Sequence, residues 1–234
     1  MTLTDILSRT RCLLLDFDGP ICSVFAGHPA SAIAAQLQGL IRDRLGTVPT
    51  RIAELRSDPL NILRQVADLD DDELTRAIAD ACRDAEVAAV ASATPTPGTL
   101  NLLRAGNEMG MSVVIVSNNA SQAVQTYLDR HCIAEYTNDI AARTDGMDPR
   151  LLKPHRYLLD AGLALTGTHA ADAVFIGDSE SDIEAGRTVG VATIGYANKP
   201  GKHQRLAQAG ADKVIDSMQV LTDAIQLMTT RHAT

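Results

Sequence analysis

Asp16 and Asp18 stand two residues apart where an apolar run, Cys12-Leu-Leu-Leu15, gives way to Gly19 and Pro20. A short apolar run ending in polar residues has the pattern of a strand covered on both faces, and open α/β sheets bind ligands beyond the carboxyl ends of such strands. Alternate strand residues share a side, so both carboxylates can face one pocket while the Gly-Pro pair turns the chain away. Anions this close repel, which implies a cation or a shared proton. An ordinary acidic turn after a strand has the same spelling, and only the rest of the chain separates the two readings.

Two more apolar runs end in the same way. Val113-Val-Ile-Val116 leads into Ser117 and Asn118, and Ala173-Val-Phe-Ile-Gly177 leads into Asp178. Ser179-Glu-Ser-Asp182 begins the helix behind Asp178, and Lys153-Pro154 is read as opening another helix. On a parallel sheet the three strand ends converge on one edge. That edge would carry the carboxylates of Asp16, Asp18, Asp178 and Asp182, the Ser117 hydroxyl and the Lys153 ammonium. Such a set calls for Mg²⁺, which takes few carboxylates, keeps waters and pairs with phosphate. The metal and Lys153 would reverse the local sign of charge and admit a phosphoryl group, with Ser117 hydrogen-bonding one of its oxygens. Plainer roles exist for each: a helix N-cap for Ser117, a surface position for Lys153, service to the helix dipole for Asp182. The six histidines show no metal-ligand spacing, and His28, at the head of a helical stretch, is read as structural.

The elements that must position these groups alternate along the chain. Strands are expected at 112–117, weakly at 136–142, then at 173–178, 190–194 and 212–216, with helices between them and one after, ending near Met228. Residues 28–92 contain nothing that reads as a strand. Helical composition starts at Pro29, a further helix runs from Pro49 to Leu55, and Ser57-Asp58-Pro59 caps one over Leu60 to Ala67. The acidic run Asp70-Asp-Asp-Glu73 favours the start of a long Ala-rich helix to about Ser92. Thr94-Pro-Thr-Pro97-Gly98 punctuates the return. The fold class is therefore α/β, a doubly wound and mostly parallel Rossmann-like sheet. Residues 1–21 and 95–234 would form the core, and 22–94 an inserted all-helical unit.

Composition narrows the class further. In 234 residues with 45% hydrophobic content, no Trp and only 3% aromatics, the core is aliphatic and little is left for stacking on bases. A net charge of -8 argues against a nucleic-acid or anionic-membrane surface. Cys12, Cys22, Cys82 and Cys132 have no CxxC spacing and read as reduced, mostly buried thiols. With no signal-peptide or membrane-length apolar run, a soluble cytoplasmic protein is expected, monomeric or homodimeric.

The motifs together resemble the haloacid dehalogenase superfamily in its phosphatase branch. Leu13-Leu-Leu-Asp16-Phe-Asp18-Gly-Pro-Ile21 is similar to the first motif, Val113-Val-Ile-Val-Ser117-Asn-Asn to the second, Leu151-Leu-Lys153-Pro154 to the third, and Phe175-Ile-Gly177-Asp178-Ser-Glu-Ser-Asp182 to the fourth. All four occur in order, with the helical insert between the first two where the family carries a small mobile cap. The resemblance implies an aspartyl-phosphate mechanism. Asp16 is the nucleophile and Asp18 the acid and base. Mg²⁺ is held by Asp16, the backbone carbonyl of Asp18 and Asp178, with Asp182 behind the metal waters. Lys153 steadies Asp16 and the phosphoryl group, and Ser117 and Asn118 lie on the substrate side.

Hydrolysis of a small phosphorylated metabolite, in the manner of phosphoglycolate phosphatases, is the leading expectation. A sugar-phosphate mutase and a silent phosphate-binding protein are the alternatives. Pro20 departs from the family's usual Thr or Val and removes an amide donor from the turn. Asp18 is an acid where the dehalogenating branch has none, which speaks against dehalogenation. Within the insert, Arg42, Arg44, Arg51, Arg56 and Arg64 face few acids nearby in sequence. Ordinary solvated helix surface is one reading of them. The other is that Arg51 or Arg56 reaches a second anion on the substrate.

Overall fold

The computed structural model describes residues 2–232. After a short helix α1 (Leu3–Leu7), strand β1 (Cys12–Leu15) enters the middle of the molecule, and β2 (Cys22–Ser23) leaves it. Four helices follow: α2 (Ala30–Leu45), α3 (Thr50–Ala53), α4 (Pro59–Ala67) and α5 (Asp72–Ala89). The chain returns through β3 (Thr94–Pro95), then α6 (Thr99–Glu108), β4 (Ser112–Ala120), α7 (Ser121–Arg130) and β5 (Asp139–Arg143). The remainder is α8 (Tyr157–Thr166), β6 (Ala173–Gly177), α9 (Glu180–Val189), β7 (Ala192–Tyr196), α10 (Lys202–Ala209), β8 (Lys213–Ile215) and α11 (Gln219–His232).

Six strands form one parallel sheet in the order β5-β4-β1-β6-β7-β8. From β1 the chain winds outward to β5, then crosses back to β6 on the other side. The strand order therefore reverses at β1, which is where open α/β sheets place ligands. Period-two alternation divides the core. Leu13 and Leu15 of β1 pack with Val113, Ile115, α6, α7 and α11, while Cys12 and Leu14 pack with Val114, Val116, Phe175, α8 and the inserted helices.

The insert is helical because its apolar residues recur at helical spacing. Ile33, Leu37 and Ile41 of α2 meet Ile62, Leu63 and Val66 of α4 and Leu74, Ile78 and Cys82 of α5. Asp58 accepts from Asn61 N and Asp71 from Leu74 N, so both acidic caps do the work their positions suggest.

Several expectations shift in detail. The two-residue ribbon of β2 with β3 at the neck of the insert was not legible, because two residues carry no period. Lys153-Pro154 does not open a helix, which starts only at Tyr157. The backbone N–H and carbonyl of Lys153 are instead both bound by the Asn118 side chain. The last two strands begin one or two residues later than expected, and the final helix runs past Met228. Cys132 is exposed, whereas the other three thiols are buried. Among the described residues no helix is long and apolar enough to cross a membrane.

Candidate active site

Asp16 is the first residue after β1, and its amide donates to Ile176 O at 2.9 Å. The sheet ladder thus continues one step and delivers the carboxylate to the sheet edge. Lys153 Nζ donates to Asp16 Oδ1 at 2.8 Å and to Val116 O at 2.9 Å, and lies 2.8 Å from Asp182 Oδ1. An ammonium has three protons, so these three acceptors use all of them. Lys153 is 2% exposed. Burial alone would lower its pKa, but the charges of Asp16 and Asp182 outweigh that and hold it above the ordinary value. The lysine is a fixed cation, and among the described residues no donor is on Asp16 Oδ2.

Asp182 sits in the first turn of α9, 1% exposed. Its Oδ2 accepts from Ser179 Oγ at 2.6 Å, Ser179 N at 3.0 Å and Asp178 N at 3.2 Å. The capping geometry thereby fixes the loop that carries Asp178. Asp178 Oδ2 accepts from Asn198 Nδ2 at 2.9 Å and pairs with Lys202. One oxygen each from Asp16, Asp178 and Asp182 lie within 4.8 Å of one another. Burial, and then the neighbouring carboxylates Asp182 and Asp178, push Asp16 well above the usual carboxylate range. Burial likewise raises Asp178. Three crowded acids face two ammonium groups, Lys153 and Lys202, which still leaves an excess of negative charge, and an all-oxygen donor set of this kind fits a hard divalent cation.

Asp18 lies outside that carboxylate cluster. Its Oδ1 accepts from Val24 N at 2.9 Å, and burial pushes its pKa up to about 6. Gly19 follows with φ of 109°, and a Cβ there would stand 2.5 Å from the Asp178 carboxyl carbon, so only glycine fits between the two loops. The missing amide of Pro20 does not leave the turn loose. Thr96 Oγ1 donates to Gly19 O at 2.6 Å, and Thr99 Oγ1 donates to Pro20 O at 2.5 Å.

The second strand end is arranged differently from the sequence expectation. Ser117 is fully buried and does not reach the cavity wall. Its hydroxyl accepts from Asn119 N at 3.1 Å and donates to Asn119 Oδ1 at 3.2 Å. It is not the N-cap of α7 either, a place taken by Ala120. Asn118 lines the cavity with Asn119, while its side chain brackets the Lys153 peptide group at 2.8 and 3.1 Å.

Asp16, Asp18, Lys153, Asp178 and Asp182 all line one cavity of about 300 Å³. Its opposite wall comes from the insert: Asp58, Leu60, Asn61 and Arg64 of α4 and its cap. These residues follow a three- to four-residue spacing, on the opposite side of α4 from buried Ile62, Leu63 and Val66. Of the two readings of Arg51 and Arg56, solvated helix surface is the one the structure fits. Both are exposed and neither lines the cavity, and Arg51 donates to Gln65 O at 3.4 Å. Arg44 pairs with Asp71 and Glu73 on the surface. Half-buried Arg64 is the arginine at the site, and among the described residues it has no ion-pair partner. The polar pair Asn61 and Arg64 at helical spacing, opposite the apolar face of α4, was the signal that could have found it. His28 lies outside the cavity.

A family model described as haloacid dehalogenase-like hydrolase matches residues 49–196, more than half of the chain. The phosphoglycolate phosphatase of Pseudomonas syringae pv. tomato is 24% identical over 216 residues, covering 90% of this chain and 78% of that protein. The phosphoglycolate phosphatase of Salmonella choleraesuis is 28% identical over 131 residues, covering 56% of this chain and 51% of that protein. With several such relatives the match thus spans about half of their length. A predicted phosphatase from Clostridium acetobutylicum superposes with a TM-score of 0.72 at 19% identity, over 93% of this chain and 99% of its own. The beta-phosphoglucomutase of Clostridium difficile does so with a TM-score of 0.67 at 15% identity, over 95% and 100%. These two structures share the fold. By the family match, which takes in more than half of its residues, the chain belongs to the haloacid dehalogenase-like hydrolases.

Proposed function

We propose that the protein hydrolyses a small phosphomonoester carrying a second anionic group, such as phosphoglycolate, with Asp16 as nucleophile. The observation that carries this reading is the division of labour on Asp16: Lys153 holds Oδ1, and among the described residues no hydrogen-bond donor is on Oδ2. Oδ2 attacks phosphorus in line, the ester P–O bond breaks, and the leaving oxygen takes a proton from Asp18. Asp18 then removes a proton from water, whose oxygen attacks the phosphorus of the aspartyl-phosphate. Inorganic phosphate leaves, and the Asp16 carboxylate is restored. Lys153 keeps its charge throughout and opposes the negative charge that builds on the phosphoryl oxygens. The buried Ser117 hydroxyl supports this edge through Asn119.

Asp16, the backbone carbonyl of Asp18 and Asp178 would hold Mg²⁺, with Asp182 supporting its waters. The ion supplies charge neutralisation and orientation of the phosphoryl group. Residues 22–94 act as a cap, with boundaries at the two neck strands, and exclude bulk water when closed. Arg64 reaches the second anion from the cap side, where a planar fork of donors matches a carboxylate.

The test is a panel of phosphorylated metabolites with Mg²⁺, beside Asp16→Asn as a control and with release of inorganic phosphate as readout. Phosphate release from a carboxylate-bearing monoester, absent in the control, is the expected result. Isomerised sugar phosphate without free phosphate would identify a mutase instead.

A further inference from the structure

Lys153 takes its position from β4, and β4 is irregular where it does so. The register between β4 and β5 shifts between Ser117 and Ala120. A shift of this kind frees backbone groups from the ladder, and buried ones need other partners. Asn118 O accepts from Arg143 Nε at 3.1 Å, and Ala120 N donates to Glu86 Oε2 at 2.8 Å. Arg143 and Glu86 are in turn joined, Nη2 to Oε2, at 2.6 Å, and are 4% and 0% exposed. Arg143 ends β5, whereas Glu86 belongs to α5 of the insert, as does Ala79, whose carbonyl accepts from Arg143 Nη1 at 3.4 Å.

We propose that Glu86 and Arg143 are positioning residues for Lys153, through which helix α5 sets the place of the ammonium against Asp16. The path is continuous: Glu86, Arg143, the Asn118 carbonyl, the Asn118 side chain, the Lys153 peptide, and Nζ on Asp16. A buried ion pair is by itself weak evidence for stability, because desolvation offsets much of the attraction. What marks this pair is where its remaining donors and acceptors go. Both ends bind the backbone of the irregular segment, which follows directly on Val116, whose carbonyl accepts from Lys153. Arg143 spreads three nitrogens of one planar fork over three separated acceptors, a geometry that the single nitrogen of a lysine does not reproduce. The inference rests on the phosphatase reading of the site.

The experiment compares four variants with the wild-type chain on its best phosphomonoester: Arg143→Lys, Asn118→Ala, their combination, and the apolar pair Glu86→Leu/Arg143→Met. The pair guards against a misfolded single variant, since replacing both charges together leaves neither buried alone. Misplacement of one catalytic group predicts a fall in kcat of roughly ten- to a hundredfold with KM little changed. Arg143→Lys should keep the melting temperature near wild type and still lose kcat. Combining Arg143→Lys with Asn118→Ala should cost no more than the larger single loss, because both act on one path. A wild-type kcat in Arg143→Lys and in the apolar pair, or losses that multiply in the combination, would overturn the positioning role. A wild-type chain with no turnover on any phosphomonoester would instead overturn the phosphatase reading beneath it.

Discussion

Lys153 Nζ lies 2.8 Å from Asp16 Oδ1 across 137 positions of sequence. The pair divides the Asp16 carboxylate into a held oxygen and an available one. That asymmetry governs what substitutions at the site should do.

Asp16→Asn should remove turnover by on the order of 10⁴-fold or more, since the amide is no nucleophile. The metal-free protein should melt no lower than wild type, because burial and nearby carboxylates make the Asp16 charge unfavourable there. Phosphate release and thermal melting of the same preparation check both halves. Retained turnover would exclude a covalent aspartyl-phosphate.

Asp18 gives a dependence of stability on pH. With a folded pKa of about 6 against an ordinary 3.8, the folded protein keeps its proton between about pH 4 and 6 while the unfolded chain loses it. The folded state then binds more protons, so this contribution to stability falls as pH rises through that window. Two units correspond to about 3 kcal/mol. Asp16 and Asp178 shift in the same direction, so the measurement is a difference: urea midpoints at pH 4 and 7 in chelator, for wild type and Asp18→Asn. The variant should show the shallower fall, and identical slopes would contradict the assignment.

Metal binding should raise the melting temperature of the wild-type chain and should be lost in Asp178→Ala. A ligand at a hundred times its dissociation constant adds about 2.7 kcal/mol to a protein that binds it only when folded. Melting curves with Mg²⁺ and with EDTA read this directly, and EDTA should also abolish phosphate release. Equal melting in both solutions would count against a metal among Asp16, Asp178 and Asp182.

Arg64→Ala should separate substrates. Loss of a charge-assisted contact to a second anion is worth about 2 kcal/mol, or roughly thirtyfold in kcat/KM. p-Nitrophenyl phosphate, with no second anion, should change little, and so should either substrate in Arg51→Ala. Equal losses for both substrates in Arg64→Ala would return that residue to a structural role.

Much of this was legible in order along the chain. The strands before Asp16 and Asp178 are continuous apolar runs, and a carboxylate at the end of a buried strand can only lie at the sheet edge. The helical insert was equally plain, because Asp58 with Pro59 and Asp71 with its acidic neighbours are local signals that need no tertiary partner. Two things were decided elsewhere. Ser117 has the residue type for phosphate contact, but its hydroxyl turns onto Asn119 because β4 loses register beyond it, and a register shift depends on the partner strand. Arg51, Arg56 and Arg64 are alike in sequence, and which one lines the cavity depends on how α4 is laid over the strand ends. That placement is set by the apolar face of α4 against α2 and α5, so Arg64 and Asn61 are left pointing at the acids. Local chemistry determined which groups the protein owns, and long-range packing determined which of them meet.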